Sequence, residues 1–333
     1  MKVLLYLEGE GALSKSGIGR AIKHQERALQ MAGQAYTTNP DDDYDMVHLN
    51  TYGLKSWSLM KKAQKAGKKV IMHGHSTEED FRDSFIGSNL VSPLFKWWLC
   101  RFYKQADAII TPTPYSKRLI EGYGIGDKPV IALSNGIELA KYKPDTAKEA
   151  AFREYFGLSA NQPVVICAGL YFMRKGIDDF VKVAEQMPEV RFIWFGDIAK
   201  WMIPAKVRRI VGTDHPANVT FAGYIKGPVF EGAMSGADAF FFPSREETEG
   251  IVVLEALASH QHVVLRDIPV YEDWLTDEAV EFGQDVPSFV AALERVLSGQ
   301  SRKTEAGFAI AQSRDLEIIA EQLQQAYETI YQT

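Results

Sequence analysis

Residues 242–259 read FPSREETEGIVVLEALAS and contain an acidic turn, a glycine and the start of a helix. The apolar run 239–242 just before predicts a buried strand that Pro243 stops, and the run 251–258 predicts a helix. Gly250 lets the chain turn into this helix, because glycine tolerates conformations closed to other residues. The positive end of the helix dipole then favours an anionic group such as a diphosphate.

Two glutamates in this stretch are spaced so that they could bind opposite ends of one nucleotide ligand. Glu255 lies about 6 Å along the helix axis from Ile251, at about 1.5 Å per residue. Its carboxylate would bind the ribose hydroxyls while the amides of Gly250, Ile251 and Val252 bind the phosphates. Glu247 would reach the far side of the same ligand. The alternative is a solvated acidic loop before an ordinary amphipathic helix.

The length and composition indicate a soluble protein of two domains. The 333 residues are long for one compact core, and 46% of them are apolar and 24% charged. Cys100 and Cys167 lie far apart, in no metal or redox spacing, which predicts reduced core thiols in a cytosolic protein. The opening run 1–8 is too short for a signal peptide, and no run approaches the length of a membrane span. We therefore expect a cytoplasmic protein that is not integral to the membrane.

Charge is divided unequally between the two halves of the chain. The formal net charge is −6, but residues 1–150 contain 21 Lys and Arg against 17 Asp and Glu, and the remainder contains 16 against 26. The first half is therefore the one expected to meet an anionic surface. No dense stripe of Lys and Arg with interleaved aromatic residues indicates nucleic acid binding.

Five short apolar runs without polar alternation predict buried parallel strands in the first part of the chain. Helical patterns separate them, which predicts a doubly wound α/β sheet with ligands at the carboxyl ends of its strands. The predicted strands span residues 2–8, 46–50, 69–73, 108–111 and 130–133.

Three of those strand ends contain candidate ligand residues, and the third is the turn 134–138 after the fifth strand, which could also donate a side chain to the cleft. In the loop 9–20, Gly17 and Gly19 would let the backbone approach a ligand, although the spacing fits neither GxGxxG nor a Walker loop. After the third strand, His73 and His75 are expected on opposite faces of an extended segment, so that one is buried and His75 faces a cleft. Each feature alone also fits a purely structural role.

A predicted helix at residues 92–104 mixes tryptophan, phenylalanine and basic residues, which is typical of helices at a membrane interface. The neighbours at helical spacing are Leu94, Trp97, Trp98, Arg101 and Phe102. The basic run 61–69 would add about 1 kcal/mol per charge near anionic lipid. The alternatives are a packed core helix with a basic outer face and a solvated basic run.

The second part of the chain repeats the alternation of strands and helices. Its predicted strands span residues 164–170, 191–195, 219–222, 237–242, 262–265 and 279–282. We therefore predict two facing, Rossmann-like doubly wound domains with a cleft between them, at residues 1–142 and 143–314. A C-terminal helix at 315–333 would pack back on the first domain through an apolar stripe. The stripe comprises Leu316, Ile319, Ala320, Leu323, Ala326, Tyr327 and Ile330.

The first strand of the second domain leads to a pair of cations. Gly169 ends the strand, and Arg174 and Lys175 precede a predicted helix at 177–187. Arginine as a bidentate fork and lysine as a point charge would suit a pyrophosphate. Exposed charges also commonly follow a strand, which is the alternative.

These residues together resemble the retaining nucleotide-sugar glycosyltransferases of the GT-B fold. Glu247 and Glu255 match the Glu-x7-Glu motif of that family, in a Pro-Ser-x-x-Glu-x-x-Gly context, and Lys175 and Gly176 match its Lys-Gly pair. In the first domain, the glycine-rich loop, the cleft histidine and an Asn-Gly turn of the family correspond to positions of this chain. Those positions are Gly17, Gly19, His75, Asn135 and Gly136.

Three segments of the first domain are similar to a narrower group, the Gram-positive enzymes that add a second hexose to glucosyl-diacylglycerol. These enzymes build the diglycosyl lipid that anchors lipoteichoic acid. The segments are 15–25, 50–53 and 73–81.

Two departures from the family pattern concern the phosphate and sugar contacts. Leu170 stands where the family has an arginine, so the diphosphate would rely on Lys175 with Arg174 in support. Glu249 stands where a phenylalanine is frequent, which puts three acids in one turn. We assign the motif to Glu247 rather than to its neighbour because of the spacing.

The resemblance implies transfer of a hexose from UDP-glucose or UDP-galactose to glucosyl-diacylglycerol, with retention at the anomeric carbon. Lys175 and Arg174 would stabilise the leaving diphosphate, and Glu247 and Glu255 would bind the sugar and the ribose. His75 would position the sugar or the acceptor. The leaving phosphate would take the acceptor proton, and neither a metal nor a cofactor would be needed.

Together with the Trp97 and Trp98 helix and the basic first domain, which would bind anionic lipid, the resemblance predicts a peripheral protein on the inner face of the cell membrane. One alternative is the same donor chemistry on a soluble polysaccharide or protein acceptor. Another is a non-catalytic module that binds a nucleotide sugar.

Overall fold

The computed structural model describes residues 1–9, 11 and 16–332. The chain forms two compact units, the first from Met1–Phe81, Leu90–Gly136 and Arg314–Thr333, and the second from Arg82–Asn89 and Ile137–Ser313. The sequence places the break after residue 142, whereas the 3-10 turn Leu139–Tyr142 packs against helices of the second unit. Residues 10 and 12–15 of the glycine-rich loop, including Lys15, lie outside the described residues.

A six-stranded sheet forms the centre of the first unit, and all its strand pairs are parallel. The strands are β1 (Val3–Tyr6), β2 (Tyr36–Thr37), β3 (Met46–Leu49), β4 (Lys69–His73), β5 (Ala108–Thr111) and β6 (Val130–Ala132), in the spatial order β2-β1-β3-β4-β5-β6. The five predicted strands are confirmed. The edge strand β2 is not predicted, because two residues show no periodicity.

Helices cover both faces of this sheet. In chain order they are α1 (Gly17–Met31), α2 (Leu54–Lys65), α3 (Glu78–Phe81), α4 (Ser88–Gln105) and α5 (Pro114–Glu121). Alternate residues of a strand point to opposite faces, so neighbouring side chains enter different cores. Val3 joins a core with Leu29 of α1, whereas Leu4 joins a core with Phe102 of α4.

The second unit contains another six-stranded sheet in which every pair is parallel. Its strands are β7 (Val164–Ala168), β8 (Arg191–Phe195), β9 (Val219–Gly223), β10 (Ala239–Phe242), β11 (Val263–Arg266) and β12 (Glu281–Gly283), in the order β12-β11-β10-β7-β8-β9. The predicted second doubly wound sheet is therefore confirmed. Its chain order reverses between β7 and β10, and doubly wound sheets bind ligands at such a switch point.

Seven helices accompany this sheet in the described part of the second unit. They are α6 (Thr146–Tyr155), α7 (Ile177–Gln186), α8 (Ala205–Gly212), α9 (Pro228–Gly236), α10 (Ile251–Ala258), α11 (Val286–Leu297) and α12 (Thr304–Gln312). A short 3-10 turn, Met173–Lys175, precedes α7.

The last helix, α13 (Leu316–Gln332), belongs to the first unit and packs along α1. Its buried residues are the seven of the predicted apolar stripe. Gly136 allows the close approach of this helix, because a Cβ at Gly136 would come within 2.8 Å of Leu316 Cδ1. The Asn135-Gly136 turn therefore serves the packing of α13. No helix among the described residues is both long and apolar enough to cross a membrane.

Candidate active site

The switch point of the second sheet brings the loops after β7 and β10 into contact. A Cβ on Gly169 would lie 3.7 Å from the Phe242 ring and 3.9 Å from the Lys175 side chain. Gly176 has φ +75, and a Cβ there would come within 2.2 Å of the Pro243 carbonyl oxygen. This approach requires a glycine at position 176, since no other residue lacks a Cβ.

The carboxylate of Glu247 lies at the centre of this region. Its Oε1 accepts hydrogen bonds from Lys175 Nζ and from Ser244 Oγ, the latter at 2.6 Å, and Arg174 Nη1 is 3.8 Å away. Burial alone would raise the pKa of this carboxyl group. The two cations and the hydrogen bonds outweigh burial and lower the pKa of Glu247 below its ordinary value. The site therefore contains a buried carboxylate kept ionised by two adjacent cations.

The acidic turn is not a solvated loop, so that alternative is wrong. Glu247, Glu249 and Glu255 are only 6%, 2% and 2% exposed. Carboxylates are almost never buried to this degree unless they are paired or hydrogen-bonded. The structure places these three acids inside the second unit, at the switch point of its sheet.

Arg174 is held by a segment that the sequence does not connect with it. Its Nε donates to Ser84 Oγ at 3.0 Å and its Nη1 to the Glu246 carbonyl at 2.9 Å. Its backbone amide donates to the Asp83 carbonyl at 3.1 Å. Ser84 is buried, and it lies 90 positions away along the chain. Since no motif marks Arg82–Asn89, sequence reasoning misses Ser84.

Two other arginines near the site are engaged in fixing the loop between β10 and α10. Arg245 Nη2 donates to Asp178 at 2.8 Å and to Asp179 at 2.6 Å. Arg266 also pairs with Asp179, and its Nε donates to the Pro243 carbonyl at 3.1 Å. These contacts stabilise the loop that precedes Glu247.

A glycine in the left-handed conformation begins α10, and the phosphate site predicted there stays a prediction. Gly250 has φ +87 and is the N-cap of the helix, and its carbonyl accepts the Val253 amide at 2.8 Å. The amides of Ile251 and Val252 precede the first hydrogen bond of the helix and lie at the positive end of its dipole. Glu255 follows one turn further along the same helix.

The first unit contains a buried group of three histidines. His73 and His75 are 3% and 7% exposed, and their ring centroids lie 3.9 Å apart in a stacked arrangement. The prediction that they occupy opposite faces is wrong, because residues two apart on an extended segment share a face. His48 of β3 joins them, with Nε2 3.1 Å from His73 Nδ1. Sequence reasoning misses His48, which stands within a buried strand and belongs to no motif.

All three imidazoles are neutral near pH 7. Burial lowers the pKa of His48 and His75 to about 3 and that of His73 well below its ordinary value. His75 Nε2 lies 2.7 Å from Asn50 Oδ1, and an amide oxygen only accepts, so Nε2 has the proton. His75 therefore provides a neutral, oriented ring whose other nitrogen is an acceptor.

Gly17 and Gly19 lie in the first turn of α1. Ser16 caps this helix, and its Oγ accepts a hydrogen bond from the Gly19 amide at 3.3 Å. Among the described residues, no atom lies within 4 Å of a Cβ built on Gly17. Packing within the described chain therefore does not require a glycine at this position, and the close approach to a ligand stays a prediction.

One face of α4 is apolar and exposed. Leu90, Leu94 and Trp97 are 86%, 64% and 53% exposed, and their spacing places them on the same side of the helix. Trp98 and Phe102 point inward instead: the Trp98 indole donates to a backbone carbonyl at 2.7 Å, and Phe102 is fully buried. The exposed surface is thus narrower than the set of neighbours that the sequence predicts.

Comparison with known proteins gives the same assignment along the whole chain. A family model described as Glycosyltransferase Family 4 matches residues 13–141, and one described as Glycosyl transferases group 1 matches residues 162–299. The processive diacylglycerol alpha-glucosyltransferase of Acholeplasma laidlawii is 49% identical over 99% of this chain and 98% of that protein. The alpha-galactosylglucosyldiacylglycerol synthase of Streptococcus pneumoniae is 25% identical over 80% of this chain and 72% of that protein.

Among solved structures, the fold is similar to that of the sucrose-phosphate synthase of Thermosynechococcus elongatus. The TM-score is 0.80 at 18% identity, with 99% of both chains covered. The fold agrees with the family models, because the chain contains two Rossmann-like units. The relative that is similar along the whole chain is also a glycosyltransferase. The chain therefore belongs to the glycosyltransferases of Family 4 and group 1, with the GT-B fold, and it is a hexosyltransferase.

Proposed function

We propose that this hexosyltransferase transfers glucose from UDP-glucose to diacylglycerol or glucosyl-diacylglycerol at a membrane surface, with retention at the anomeric carbon. The proposal rests on the two cations, Arg174 and Lys175, that share one buried carboxylate next to the start of α10. The diacylglycerol alpha-glucosyltransferase that is 49% identical supports the lipid acceptor. An alpha product from the alpha-linked UDP-glucose requires retention.

The diphosphate of the donor would lie at the start of α10. Lys175 Nζ would turn from Glu247 to the phosphate oxygens, and Arg174 would contribute the second positive charge. The amides of Ile251 and Val252 would donate hydrogen bonds along the helix dipole. These fixed donors interact more strongly with the diphosphate as negative charge develops on it in the transition state. The activation barrier is lowered in this way.

The proposed reaction exchanges one bond at the anomeric carbon for another. The bond from the anomeric carbon to the diphosphate oxygen breaks as the acceptor hydroxyl oxygen forms its bond on the same face of the sugar. The acceptor proton passes to the departing phosphate oxygen, and UDP is released. Lys175 and Arg174 stabilise the negative charge of the diphosphate during this exchange.

The two glutamates and His75 are assigned to positioning. Glu247 accepts hydrogen bonds from the sugar hydroxyls, and Glu255, one helical turn inside α10, accepts those from the ribose. His75, neutral and oriented by Asn50, accepts a hydrogen bond from a sugar or acceptor hydroxyl. We further propose that the two cations supply the positive charge at the diphosphate without a metal ion.

The exposed face of α4 is the surface that we propose for attachment to lipid. Arg101 lies over the Trp97 ring, 5.0 Å from its centroid, so a positive charge borders the apolar side chains. Lys61 of α2 lies 5.0 Å from the centroid of Trp57, which in turn packs against Trp98. Apolar side chains bordered by cations suit the interface of an anionic bilayer.

Replacing Leu94 and Trp97 together by serine is expected to lower the affinity for anionic vesicles about 30- to 1,000-fold. Each side chain would bury apolar area worth about 1–2 kcal/mol in the membrane interface. Co-sedimentation with phosphatidylglycerol vesicles measures this affinity. Tyr155→Ser is the control, since Tyr155 is 61% exposed on the second unit. Unchanged vesicle binding by the double variant would refute the assignment of this face.

Ser84→Ala is expected to raise KM for UDP-glucose about 3- to 10-fold. The substitution removes the hydrogen-bond partner of Arg174 Nε while the cation itself stays, and a single hydrogen bond contributes about 0.5–1.5 kcal/mol. Steady-state kinetics measures the effect. Ser92→Ala is the matched control, because Ser92 is equally buried but lies on α4. An unchanged KM would show that Ser84 does not orient Arg174 for the donor.

The donor and acceptor are tested together by supplying radiolabelled UDP-glucose or UDP-galactose with each lipid in mixed micelles. We expect labelled glycolipid from UDP-glucose with both diacylglycerol and glucosyl-diacylglycerol, and cleavage of the product by an alpha-glucosidase. Labelled product from UDP-galactose alone would show that the donor is UDP-galactose and not UDP-glucose. The name of the pneumococcal relative suggests a galactose donor for that protein. Turnover of UDP-glucose without any lipid product would overturn the lipid acceptor.

A further inference from the structure

Tyr271 has a buried hydroxyl that has no role in the reaction proposed above. The residue follows β11 and is 1% exposed, and among the described residues its hydroxyl has no hydrogen-bond partner. Its ring packs edge-on against Trp274, whose indole nitrogen donates to the Val270 carbonyl at 2.8 Å. The aromatic ring that bears the hydroxyl is therefore packed against a tryptophan that is itself fixed by a hydrogen bond. A buried polar group without a partner is costly, so a specific reason for it is expected.

The hydroxyl lies beside the carboxylate of the proposed site. A Cβ built on Gly250 would be 3.4 Å from the Tyr271 oxygen and 3.9 Å from Glu247 Cγ, so both side chains border the same point at the start of α10. Burial, followed by the nearby charges of Glu247 and Glu246, raises the pKa of Tyr271 well above its ordinary value. The phenol thus keeps its proton and is a donor at every pH at which the protein works.

The hydrogen bonds of Glu247 explain why such a donor would be needed. In the structure, Glu247 Oε1 accepts from Lys175 and from Ser244. Under the proposed function, Lys175 moves to the diphosphate when the donor binds. The carboxylate would then remain buried with its closest cation gone, and an ionised group in that position needs another hydrogen bond.

We propose that Tyr271 is a positioning residue whose hydroxyl donates to the Glu247 carboxylate when a UDP-hexose draws Lys175 away. This inference rests on the proposed function. The hydroxyl keeps Glu247 ionised and aimed at the sugar hydroxyls, and it is already desolvated, so its new bond forms without loss of hydration. The unpartnered state of Tyr271 belongs to the free protein and the partnered state to the complex.

Tyr271→Phe tests this role, because it removes only the oxygen. We expect the Kd for UDP-glucose to rise about 10-fold or more, as for a hydrogen bond to a charged group. The Kd for UDP, whose diphosphate also draws Lys175 away, is expected to rise by a clearly smaller factor, because UDP has no sugar hydroxyls for Glu247 to bind. The Tm is expected to stay the same or rise, because an unpartnered buried hydroxyl is lost. Titration calorimetry and thermal unfolding measure these three quantities.

A tyrosine with a purely structural role would behave differently, and Tyr103 provides the control. Tyr103 is fully buried, and its hydroxyl donates to the Ser76 carbonyl at 3.0 Å. Tyr103→Phe should lower the Tm and leave both dissociation constants unchanged. If Tyr271→Phe lowers the Tm and weakens UDP and UDP-glucose equally, the positioning role is refuted.

Two further outcomes separate this inference from the proposed function. If the wild type binds UDP-glucose, Glu247→Gln weakens it and Tyr271→Phe does not, the role of Tyr271 is refuted while the donor site stands. If the wild type binds neither UDP-glucose nor UDP-galactose, the proposed function fails, and the inference fails with it.

Discussion

Lys175→Met is expected to lower kcat/KM for UDP-glucose about 100- to 1,000-fold. Lys175 is the cation closest to Glu247 and, in the proposed mechanism, the one that stabilises the leaving diphosphate. Removal of one such fixed donor typically costs about 3–4 kcal/mol of transition-state stabilisation. Steady-state kinetics with UDP-glucose and glucosyl-diacylglycerol measures the loss. Lys182→Met is the control, since that lysine lies on the exposed side of α7 and pairs with Asp179 at 3.8 Å.

The same substitution is expected to change how stability depends on pH. In the wild type the pKa of Glu247 is lowered in the folded state, so its stabilising contribution is present above the unfolded pKa and fades as the pH falls through the folded value. Without Lys175, only Arg174 and the remaining hydrogen bond oppose the effect of burial, so the pKa of Glu247 in the folded state rises. The deficit in stability should therefore be larger at pH 8 than at pH 5.

The stability lost in Lys175→Met is expected to come from the buried Glu247 charge that is left without its closest cation. Breaking a buried pair by removing one partner costs about 3–5 kcal/mol, because a buried charge is left behind. Lys175→Met with Glu247→Gln removes that charge and should regain most of the stability without regaining transfer. A kcat/KM within tenfold of the wild type in Lys175→Met would contradict the role assigned to this lysine.

The sequence predicts both partners of this ion pair but not the pair itself. Lys175 and Glu247 are identified separately, as a phosphate cation and a sugar ligand, and they are 72 positions apart. Their contact requires β7 and β10 to be neighbours, which follows from the strand order of the sheet. Local patterns predict that each strand exists, but the order of strands depends on long-range packing. The regular elements were therefore more predictable than the contacts between them.

The failures of prediction have physical causes as well. The sequence analysis predicts His73 and His75 on opposite faces, although the two-residue period of an extended chain places them on one. The sequence pattern predicts Trp98 beside Trp97 on a membrane face, but adjacent residues point about 100° apart on a helix, and Trp98 turns inward. Ser84 is not predictable from the sequence, because its contact with Arg174 requires the segment Arg82–Asn89 to pack in the second unit, far from its neighbours along the chain.

Leu170 stands where the family resemblance implies an arginine at the diphosphate, and the structure shows which other cations lie nearby. Arg174 lies beside Lys175, with Nη1 3.8 Å from the Glu247 carboxylate, and three hydrogen bonds to Ser84, Glu246 and Asp83 fix its position. Two cations are thus present at this carboxylate without an arginine at position 170. We propose that Arg174 takes the place of the missing side chain at the diphosphate.

Gly176→Ala is expected to destabilise the protein by about 3 kcal/mol and to reduce transfer to near background. Gly176 has φ +75, a conformation that costs other residues of order 1–3 kcal/mol, and the added Cβ would lie 2.2 Å from the Pro243 carbonyl oxygen. That oxygen cannot easily retreat, because Arg266 Nε donates to it at 3.1 Å. Overpacking adds about 1–3 kcal/mol. Thermal unfolding should show a Tm lower by roughly 6–12 °C.

Gly157→Ala separates the steric effect from the backbone effect. Gly157 has φ +62, close to that of Gly176, but no described atom lies within 4 Å of a Cβ built there. It should therefore lose only the backbone term, about 1 kcal/mol, and keep full transfer activity. The difference between the two variants measures the contact between the loops after β7 and β10. Because Lys175 and Glu247 lie in those loops, the variant that forces them apart should lose activity beyond its loss of stability. Equal losses in both variants would mean that the two loops do not approach as closely as the structure shows.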